Sequence, residues 1–374
     1  MARAPALQET EALPEADRLE GAPHPRMTAE LFGHTYAEQT LAGSLNQGRI
    51  HQGWLLSGPA GIGKATLAYR FARAALSRAD ERDHAGKSLA VSSQTSGSRQ
   101  VRALSHPGLL LIRRPYIIKD KRFAASIPVD EVRRLRQFLS LSAERSAWRI
   151  VIVDSADELH NSAANALLKS LEEPPPRTIF LLITAEPGRL LPTIRSRCRV
   201  LTLDALNAAD LRSAAAQALE AEEKNPPSAA EWAILERLAG GSVRRALSLA
   251  FGGGTALNEA LTKHLCDLPK CDWVALHTLS DKLAPAAASQ QYELFFELLS
   301  ATLSRLIRAA ATRTGDPADV ALAVRLIGDA KLASFAQLWE TVNREKAEAD
   351  ALNLDRKTLI LDTFAKLERA SARS

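Results

Sequence analysis

The chain has 374 residues, 46% of them hydrophobic and 24% charged, with 48 Lys and Arg against 43 Asp and Glu. This composition is ordinary for a soluble globular protein of two or three domains, and a net charge of +5 is too small to indicate a nucleic-acid partner. The three cysteines, Cys198, Cys266 and Cys271, have no paired spacing, which excludes a disulfide framework and does not predict a zinc site. Without an apolar run of 18 residues or a signal core, the chain is predicted to be cytoplasmic, with no membrane span.

The first 27 residues are rich in Ala, Pro and Glu and lack a sustained apolar period. They predict a mostly disordered lead-in over residues 1–27. Ordered structure is expected to begin with a first domain over residues 28–203, and its first helix is predicted over residues 37–45.

A glycine-rich loop follows the apolar strand candidate 54–56 and precedes a helix candidate over residues 67–76. A strand, a glycine-rich loop and a helix in that order predict a phosphate-binding P-loop. Glycines allow backbone N–H groups to converge on phosphate oxygens, and a lysine at the helix N-terminus reaches the outer phosphates. The candidate nucleotide-binding residues of the loop are Gly58, Gly61, Gly63, Lys64 and Thr66.

The residue after the lysine departs from the usual P-loop. A Ser or Thr hydroxyl normally binds magnesium there, but this chain has Ala65, and the hydroxyl comes one residue later at Thr66. One residue along a helix is a rotation of about 100°, so Thr66 is expected to point away from the metal. The loop therefore predicts a nucleotide-binding fold without competent magnesium-dependent hydrolysis, and no metal site is assigned.

A second departure follows the buried strand candidate 150–153. This strand ends in Asp154, which is expected beside the P-loop strand, where a carboxylate orders magnesium through its water. ATPases of this kind then have a glutamate that polarises the attacking water, but the next residue here is Ser155. A general base is therefore missing from the expected position.

In the rest of the chain, strand and helix patterns first alternate, and from about residue 204 onward only helical patterns remain. An earlier strand candidate at 109–112 follows a polar stretch at 77–105, which is predicted to be a long loop or insertion. A helix over 161–173, stopped by three prolines, and strands over 178–184 and 200–203 complete an α/β P-loop domain with a parallel sheet. Three short helices over 204–254 predict a small helical lid, and residues 255–374 predict an all-α C-terminal domain.

Two segments carry a resemblance to a known family, Asn165-Ala-Leu-Leu-Lys-Ser-Leu-Glu-Glu-Pro-Pro175 and Leu191-Pro-Thr-Ile-Arg-Ser-Arg-Cys198. They resemble the clamp-loader branch of the AAA+ ATPases, whose signature is the Ser196-Arg-Cys198 triplet. The resemblance covers roughly residues 30–370 and implies an AAA+ domain, a lid and a C-terminal collar that joins other subunits. The degenerate nucleotide motifs are similar to those of a non-hydrolysing subunit of the bacterial DNA polymerase III clamp loader.

The resemblance assigns roles to three residues outside the loop. Arg197 matches an arginine finger that acts in trans on the ATP of a neighbouring subunit; the alternative is that it only solvates the mouth of a strand. Thr184 matches the sensor-1 position, or is only a hydroxyl at a strand end, and Arg244 matches the sensor-2 arginine of the lid. Many relatives carry a four-cysteine zinc module after the P-loop helix, but residues 77–105 contain no cysteine, so zinc is not expected.

The function implied is that of a non-hydrolysing clamp-loader subunit, without an ATPase activity of its own. It would assemble with tau/gamma and delta subunits in a hetero-oligomer, and meet the sliding clamp and primer-template DNA through that complex, within a replisome at the nucleoid. No cofactor is required, although the loop retains groups for residual ATP or ADP binding. The alternatives are an ATP-hydrolysing motor of tau/gamma type, against which Ala65 and Ser155 argue, and a free-standing DNA-binding regulator, for which the sequence shows no DNA-reading element.

Overall fold

The computed structural model describes residues 13–48, 50–82, 87–140 and 148–372. The described residues form two compact units. The first unit holds those up to Pro226 together with Ala239–Leu247, and the second holds Pro227–Leu238 and the residues from Ser248 onward. This division differs from the predicted boundaries, because residues 227–238 and 248–254 group with the C-terminal helices, whereas residues 204–226 and 239–247 group with the first unit. The separate lid and collar domains stay a prediction.

The first unit is built on a parallel sheet. The strands of the described residues are β1 (Gly53–Ser57), β2 (Leu109–Ile112), β3 (Tyr116–Ile117), β4 (Arg122–Phe123), β5 (Arg149–Asp154), β6 (Thr178–Thr184) and β7 (Arg199–Thr202). Five of them form the parallel sheet in the order β2-β5-β6-β1-β7, and β3 and β4 form a separate antiparallel hairpin. The continuous apolar runs of β1, β5 and β6 suit central strands, because helices cover both faces of a parallel sheet.

Some of the helices up to residue 251 pack on the two faces of this sheet. The helices up to residue 251 are α1 (Thr35–Asn46), α2 (Lys64–Leu76), α3 (Ser96–Arg102), α4 (Val129–Ser140), α5 (Asn161–Glu172), α6 (Pro192–Arg195), α7 (Ala208–Ala221), α8 (Ala229–Ala239) and α9 (Val243–Phe251). Trp54 and Leu181 face a core shared with α1 and α2, whereas Leu55 and Phe180 face a core shared with α4 and α5. The predicted α/β class with a parallel sheet is confirmed.

The regular elements of the second unit are all helices in the part of the chain that the structure describes. Its remaining helices are α10 (Gly254–Asp267), α11 (Trp273–Leu283), α12 (Ser289–Thr312), α13 (Pro317–Leu326), α14 (Leu332–Leu352) and α15 (Arg356–Ala372). The long helix α12 packs against α10, α13 and α14. Phe295 on α12 and Phe364 on α15 are fully buried, with ring centroids 6.4 Å apart. The predicted helical C-terminal region is confirmed.

Two expectations about irregular segments are corrected by the structure. Residues 13–27 of the predicted disordered lead-in are packed, with Ala22 and His24 each 2% exposed, whereas residues 1–12 lie outside the described residues. Their charged side chains meet partners that lie far away in sequence, which a local pattern cannot reveal. Within the predicted loop 77–105, residues 96–102 form α3, because Thr95 caps its first turn and Val101 is buried. Among the described helices, none is long and apolar enough to cross a membrane.

Candidate functional site

A cavity of about 460 Å³ lies in the first unit where β1, β5 and β6 end. Its walls are the glycine-rich loop, the residues after β5 and β6, the start of α9, and residues 13–28, which we call the strap. A cavity of this size can hold a ligand such as a nucleotide. Of the predicted site residues, those that line the cavity are Gly61, Gly63, Lys64, Thr66, Asp154 and Arg244. Gly58, Thr184 and Arg197 are not among the lining residues.

The glycine-rich loop requires glycine for steric reasons. Gly58 has a φ of +149°, and a Cβ on it would lie 2.1 Å from the carbonyl oxygen of Leu203. Gly63 has a φ of +110° and directly precedes α2, whose N-terminus therefore faces the cavity. These backbone conformations are accessible to glycine and strained for residues with a side chain. The loop thus has the backbone of a phosphate-binding P-loop.

Lys64 bonds to its own loop in this structure. Its Nζ donates hydrogen bonds to the carbonyl oxygens of Gly58 at 2.6 Å and Pro59 at 2.5 Å. Burial lowers the pKa of Lys64 to about 8, although the negative charges of Asp154 and Asp157 oppose that change. A phosphate that bound here would have to compete with two carbonyl oxygens for the ammonium group.

Asp154 shares the cavity with Lys64, but its strand does not adjoin the P-loop strand. β6 lies between β5 and β1, which corrects the expectation from the sequence. Neighbouring strands in a parallel sheet end at the same edge, and the carboxylate therefore still reaches the loop. Burial and, to a smaller extent, the nearby carboxylate of Asp17 raise the pKa of Asp154 to about 7, although Ser155 and Lys64 oppose that change.

The usual magnesium ligands fit this cavity only in part. Asp154 supplies a carboxylate, and the Ser155 hydroxyl donates to its Oδ1 at 3.3 Å. Ala65 also lines the cavity, and it has no oxygen to offer where the usual loop has a hydroxyl. Thr66 is among the residues that line the cavity, and the direction of its hydroxyl away from a metal stays a prediction. The loop therefore fits phosphate better than it fits a magnesium–phosphate complex.

The start of α9 lies directly on the glycine-rich loop. The Ser242 hydroxyl donates to the Ala60 carbonyl oxygen at 2.8 Å, and the Arg244 backbone N–H donates to the Gly61 carbonyl oxygen at 3.2 Å. Arg244, the sensor-2 candidate, is thus placed at the cavity by its backbone. Thr184, the sensor-1 candidate, is fully buried, and its hydroxyl accepts a hydrogen bond from the Glu186 backbone N–H at 3.1 Å. The sensor-1 role of Thr184 stays a prediction.

Arg197 lies at the end of the sheet where the parallel strands begin, whereas the glycine-rich loop lies at the end where they finish. It precedes β7, which runs parallel to β1, and its carbonyl oxygen lies 3.1 Å from the position of a Cβ on Gly53, the first residue of β1. The loop follows the last residue of β1, and the five residues of that strand, at about 3.3 Å each, separate the two places by about 16 Å. The Arg197 guanidinium contacts Glu172 Oε1 at 2.7 Å and the Thr193 carbonyl oxygen at 3.0 Å.

The strap is the part of the site that the sequence did not predict. Asp17, whose side chain is 3% exposed, contacts His24 Nε2 at 3.0 Å and also pairs with Arg113. Glu15 pairs with both Arg26 and Arg113 at 2.8 Å. Charged residues among Ala and Pro resemble a disordered segment in composition, and only the fold brings Arg113 to them. The one local signal was this cluster of acidic and basic residues before the first predicted helix.

We expect Asp17→Asn to lower the free energy of unfolding of the first unit by about 2 kcal/mol, because it removes a buried carboxylate that pairs with both Arg113 and His24 and leaves Glu15 as the remaining counter-charge of Arg113. Burial raises the pKa of Asp17, but His24 and Arg113 together hold that pKa below its ordinary value. The contribution of Asp17 to the free energy of unfolding is therefore present above a pH of about 4. It is lost as the pH falls through the folded-state pKa of Asp17. Urea titrations at several pH values measure the difference from wild type. Glu20→Gln, an exposed acid in the same strap, is the control and should change stability by less than about 0.5 kcal/mol.

The fold and the cavity together define a P-loop protein of the AAA+ class. In its parallel sheet the glycine-rich loop follows β1, which lies between β6 and β7, and the start of α9 covers that loop. Residues 33–207 match the family model described as DNA polymerase III, delta subunit. The DNA polymerase III subunit delta' of Escherichia coli K12 is 33% identical over 250 residues, which are 66% of this chain and 70% of that protein. The chain therefore belongs to the family of DNA polymerase III delta-prime subunits.

Two other relatives align over smaller parts of their length. The delta' subunit of Pseudomonas aeruginosa is 36% identical over 145 residues, 39% of this chain and 40% of that protein. The tau subunit of Salmonella typhimurium is 30% identical over 247 residues, 64% of this chain and 36% of that protein. The chain thus spans less than half the length of these two relatives. Among solved structures, a gamma subunit-related protein of Thermotoga maritima is 17% identical to this chain and superposes on it with a TM-score of 0.42. The superposition covers 89% of this chain and 99% of that protein.

Proposed function

We propose that the chain is a non-hydrolysing subunit of the DNA polymerase III clamp loader that donates Arg197 in trans to the ATP site of a neighbouring subunit. Its partners would be tau/gamma and delta subunits, whose bound ATP would drive opening of the sliding clamp and its placement on primer-template DNA. Family membership and the similarity to both delta' and tau subunits support this role.

The location of Arg197 is the observation that carries the trans assignment. The residue lies about 16 Å from its own glycine-rich loop, across the length of β1, so it is too far away to contact a phosphate bound there. Its side chain is 36% exposed and therefore accessible to another molecule. A guanidinium is permanently charged and can donate two parallel hydrogen bonds, which suits the charge that develops on a γ-phosphate during transfer.

Three features of the cavity support the absence of hydrolysis in this chain. Ala65 supplies no metal ligand, Ser155 supplies no carboxylate base, and Lys64 bonds to carbonyl oxygens of its own loop. The chain would therefore contribute to ATP turnover only through its neighbour. ATP or ADP bound in the cavity would be a structural ligand.

A motor of tau/gamma type is the second candidate, because a tau subunit is 30% identical over 64% of this chain. ATP turnover by the isolated full-length chain separates the two candidates. We expect wild type and Lys64→Ala to give the same background rate. If wild type hydrolyses ATP and Lys64→Ala abolishes that activity, the chain is a motor and the non-hydrolysing role is wrong.

The role as a donor is tested in the assembled complex. The tau/gamma and delta subunits are assayed for ATP turnover with clamp and primed DNA, in the presence and absence of the chain. We expect the chain to raise kcat once it has joined the complex, as judged by size-exclusion chromatography. Assembly without an increase in kcat would contradict the donor role and leave only a scaffolding role.

A further inference from the structure

We infer that Glu172 is a positioning residue for Arg197, fixing the direction in which its guanidinium faces a neighbouring subunit. This inference rests on the proposed function, because it concerns the same arginine. Glu172 is the last residue of α5, and its Oε1 accepts from the Arg197 NH2 group at 2.7 Å. The Thr193 carbonyl oxygen accepts from the NH1 group at 3.0 Å, so each terminal nitrogen is held.

The segment that carries Arg197 is anchored firmly on both sides. Ile194 is fully buried and Cys198 is 9% exposed, and both belong to the core cluster that contains Leu167 and Leu171 of α5. The same cluster thus fixes the backbone of residues 194–198 and the helix that ends in Glu172. The guanidinium is held between two elements of one core, and its orientation depends little on the mobility of the surrounding loop.

The donor geometry leaves Arg197 able to bind a phosphate. A guanidinium has five N–H donors, and the two contacts use one on each terminal nitrogen. Three donors therefore remain for oxygen atoms of a nucleotide on another subunit. Because a free arginine side chain loses rotamer entropy when it is ordered, an arginine already held by Glu172 and Thr193 loses less when it meets the γ-phosphate.

The charge of Glu172 is not expected to cancel that of Arg197. The Glu172 side chain is 46% exposed, and solvent screens its field at the distance of a neighbouring phosphate. Glu172 should therefore influence the neighbouring ATP site more through the orientation of the Arg197 guanidinium than through its own negative charge. If Glu172 instead kept Arg197 away from the neighbouring phosphate, removing its carboxylate would raise kcat. The direction of the change in kcat therefore tests the inference.

The test measures the increase in kcat that the full-length chain adds to the assembled tau/gamma and delta subunits. We expect Glu172→Ala to lower this increase about threefold to fivefold at an unchanged KM for ATP, as for the loss of an exposed ion pair. Glu172→Gln, which keeps an oxygen acceptor, should give an intermediate value. Glu173→Ala, the adjacent exposed acid, is the matched control and should behave as wild type.

Double variants separate the inference from the function on which it rests. In an Arg197→Ala background, Glu172→Ala should have no further effect, because the residue acts only through the arginine. If Arg197→Ala lowers kcat and Glu172→Ala does not, or raises it, the positioning role is wrong while the donor role stands. If Arg197→Ala has no effect in an intact complex, the donor role itself is wrong, and the positioning role is wrong with it.

Discussion

Arg197→Ala should abolish the increase in ATP turnover that the chain gives its partners, with a rate loss of about 10³ at the neighbouring site. An arginine supplied in trans accelerates phosphoryl transfer by about 10³–10⁵ in other systems, and we expect the lower end of that range. This loss corresponds to about 4 kcal/mol of transition-state stabilisation. The measurement is steady-state ATP hydrolysis by the tau/gamma and delta subunits with clamp and primed DNA. The loss should fall on kcat, because the contact forms as charge develops on the transferring phosphate.

The matched control is Arg195→Ala, which removes an exposed arginine from the end of α6, two residues away. It should change kcat by less than about twofold, because a solvated surface charge contributes little to a reaction on another subunit. Equal losses in the two variants would mean that the arginines act as a general basic surface. Size-exclusion chromatography must show that both variants enter the complex. A fall in kcat can then be attributed to the missing guanidinium and not to failed assembly.

Gly58→Ala should lower the free energy of unfolding of the first unit by about 3 kcal/mol or more, because of backbone strain and a steric clash. The residue has a φ of +149°, and a Cβ would lie 2.1 Å from the carbonyl oxygen of Leu203. Neither partner can move easily, since Leu203 follows β7 and its N–H donates to the Ser57 carbonyl oxygen at 2.8 Å. Urea titration measures the change in the free energy of unfolding. Hydrogen exchange of the β1 amides, residues 53–57, then measures the local loss of stability beside Gly58.

Gly43→Ala provides a control of opposite sign. Gly43 lies within α1, and no atom lies within 4 Å of the position that a Cβ would occupy, so alanine adds helix propensity without a clash. We expect it to raise stability by about 0.5–1 kcal/mol. If Gly58→Ala were as stable as wild type, the close approach of Leu203 to the loop would be wrong, and with it the geometry of the loop.

The sequence by itself determined the features that depend on neighbouring residues. The apolar runs at 150–153 and 178–184 predicted central strands, because a parallel sheet buries both faces of such strands. The prolines at 174–176 marked the end of α5, because proline lacks the N–H that a helix needs. The glycine-rich loop between an apolar strand and a helix predicted the position of the cavity. These signals are local in the chain, so they can be read without knowledge of the fold.

Only the tertiary structure decided which distant residues meet. It placed β6 between β5 and β1, and it brought Arg113 to Asp17, which ordered residues 13–27 that composition alone assigned to a disordered lead-in. It also placed Arg197 beside Glu172 and at the far end of β1 from the loop, which separates the arginine from its own cavity. Such contacts arise from strand order and from burial of side chains remote in sequence, and no periodicity records them. The sequence thus determined the local elements, and the fold decided their partners.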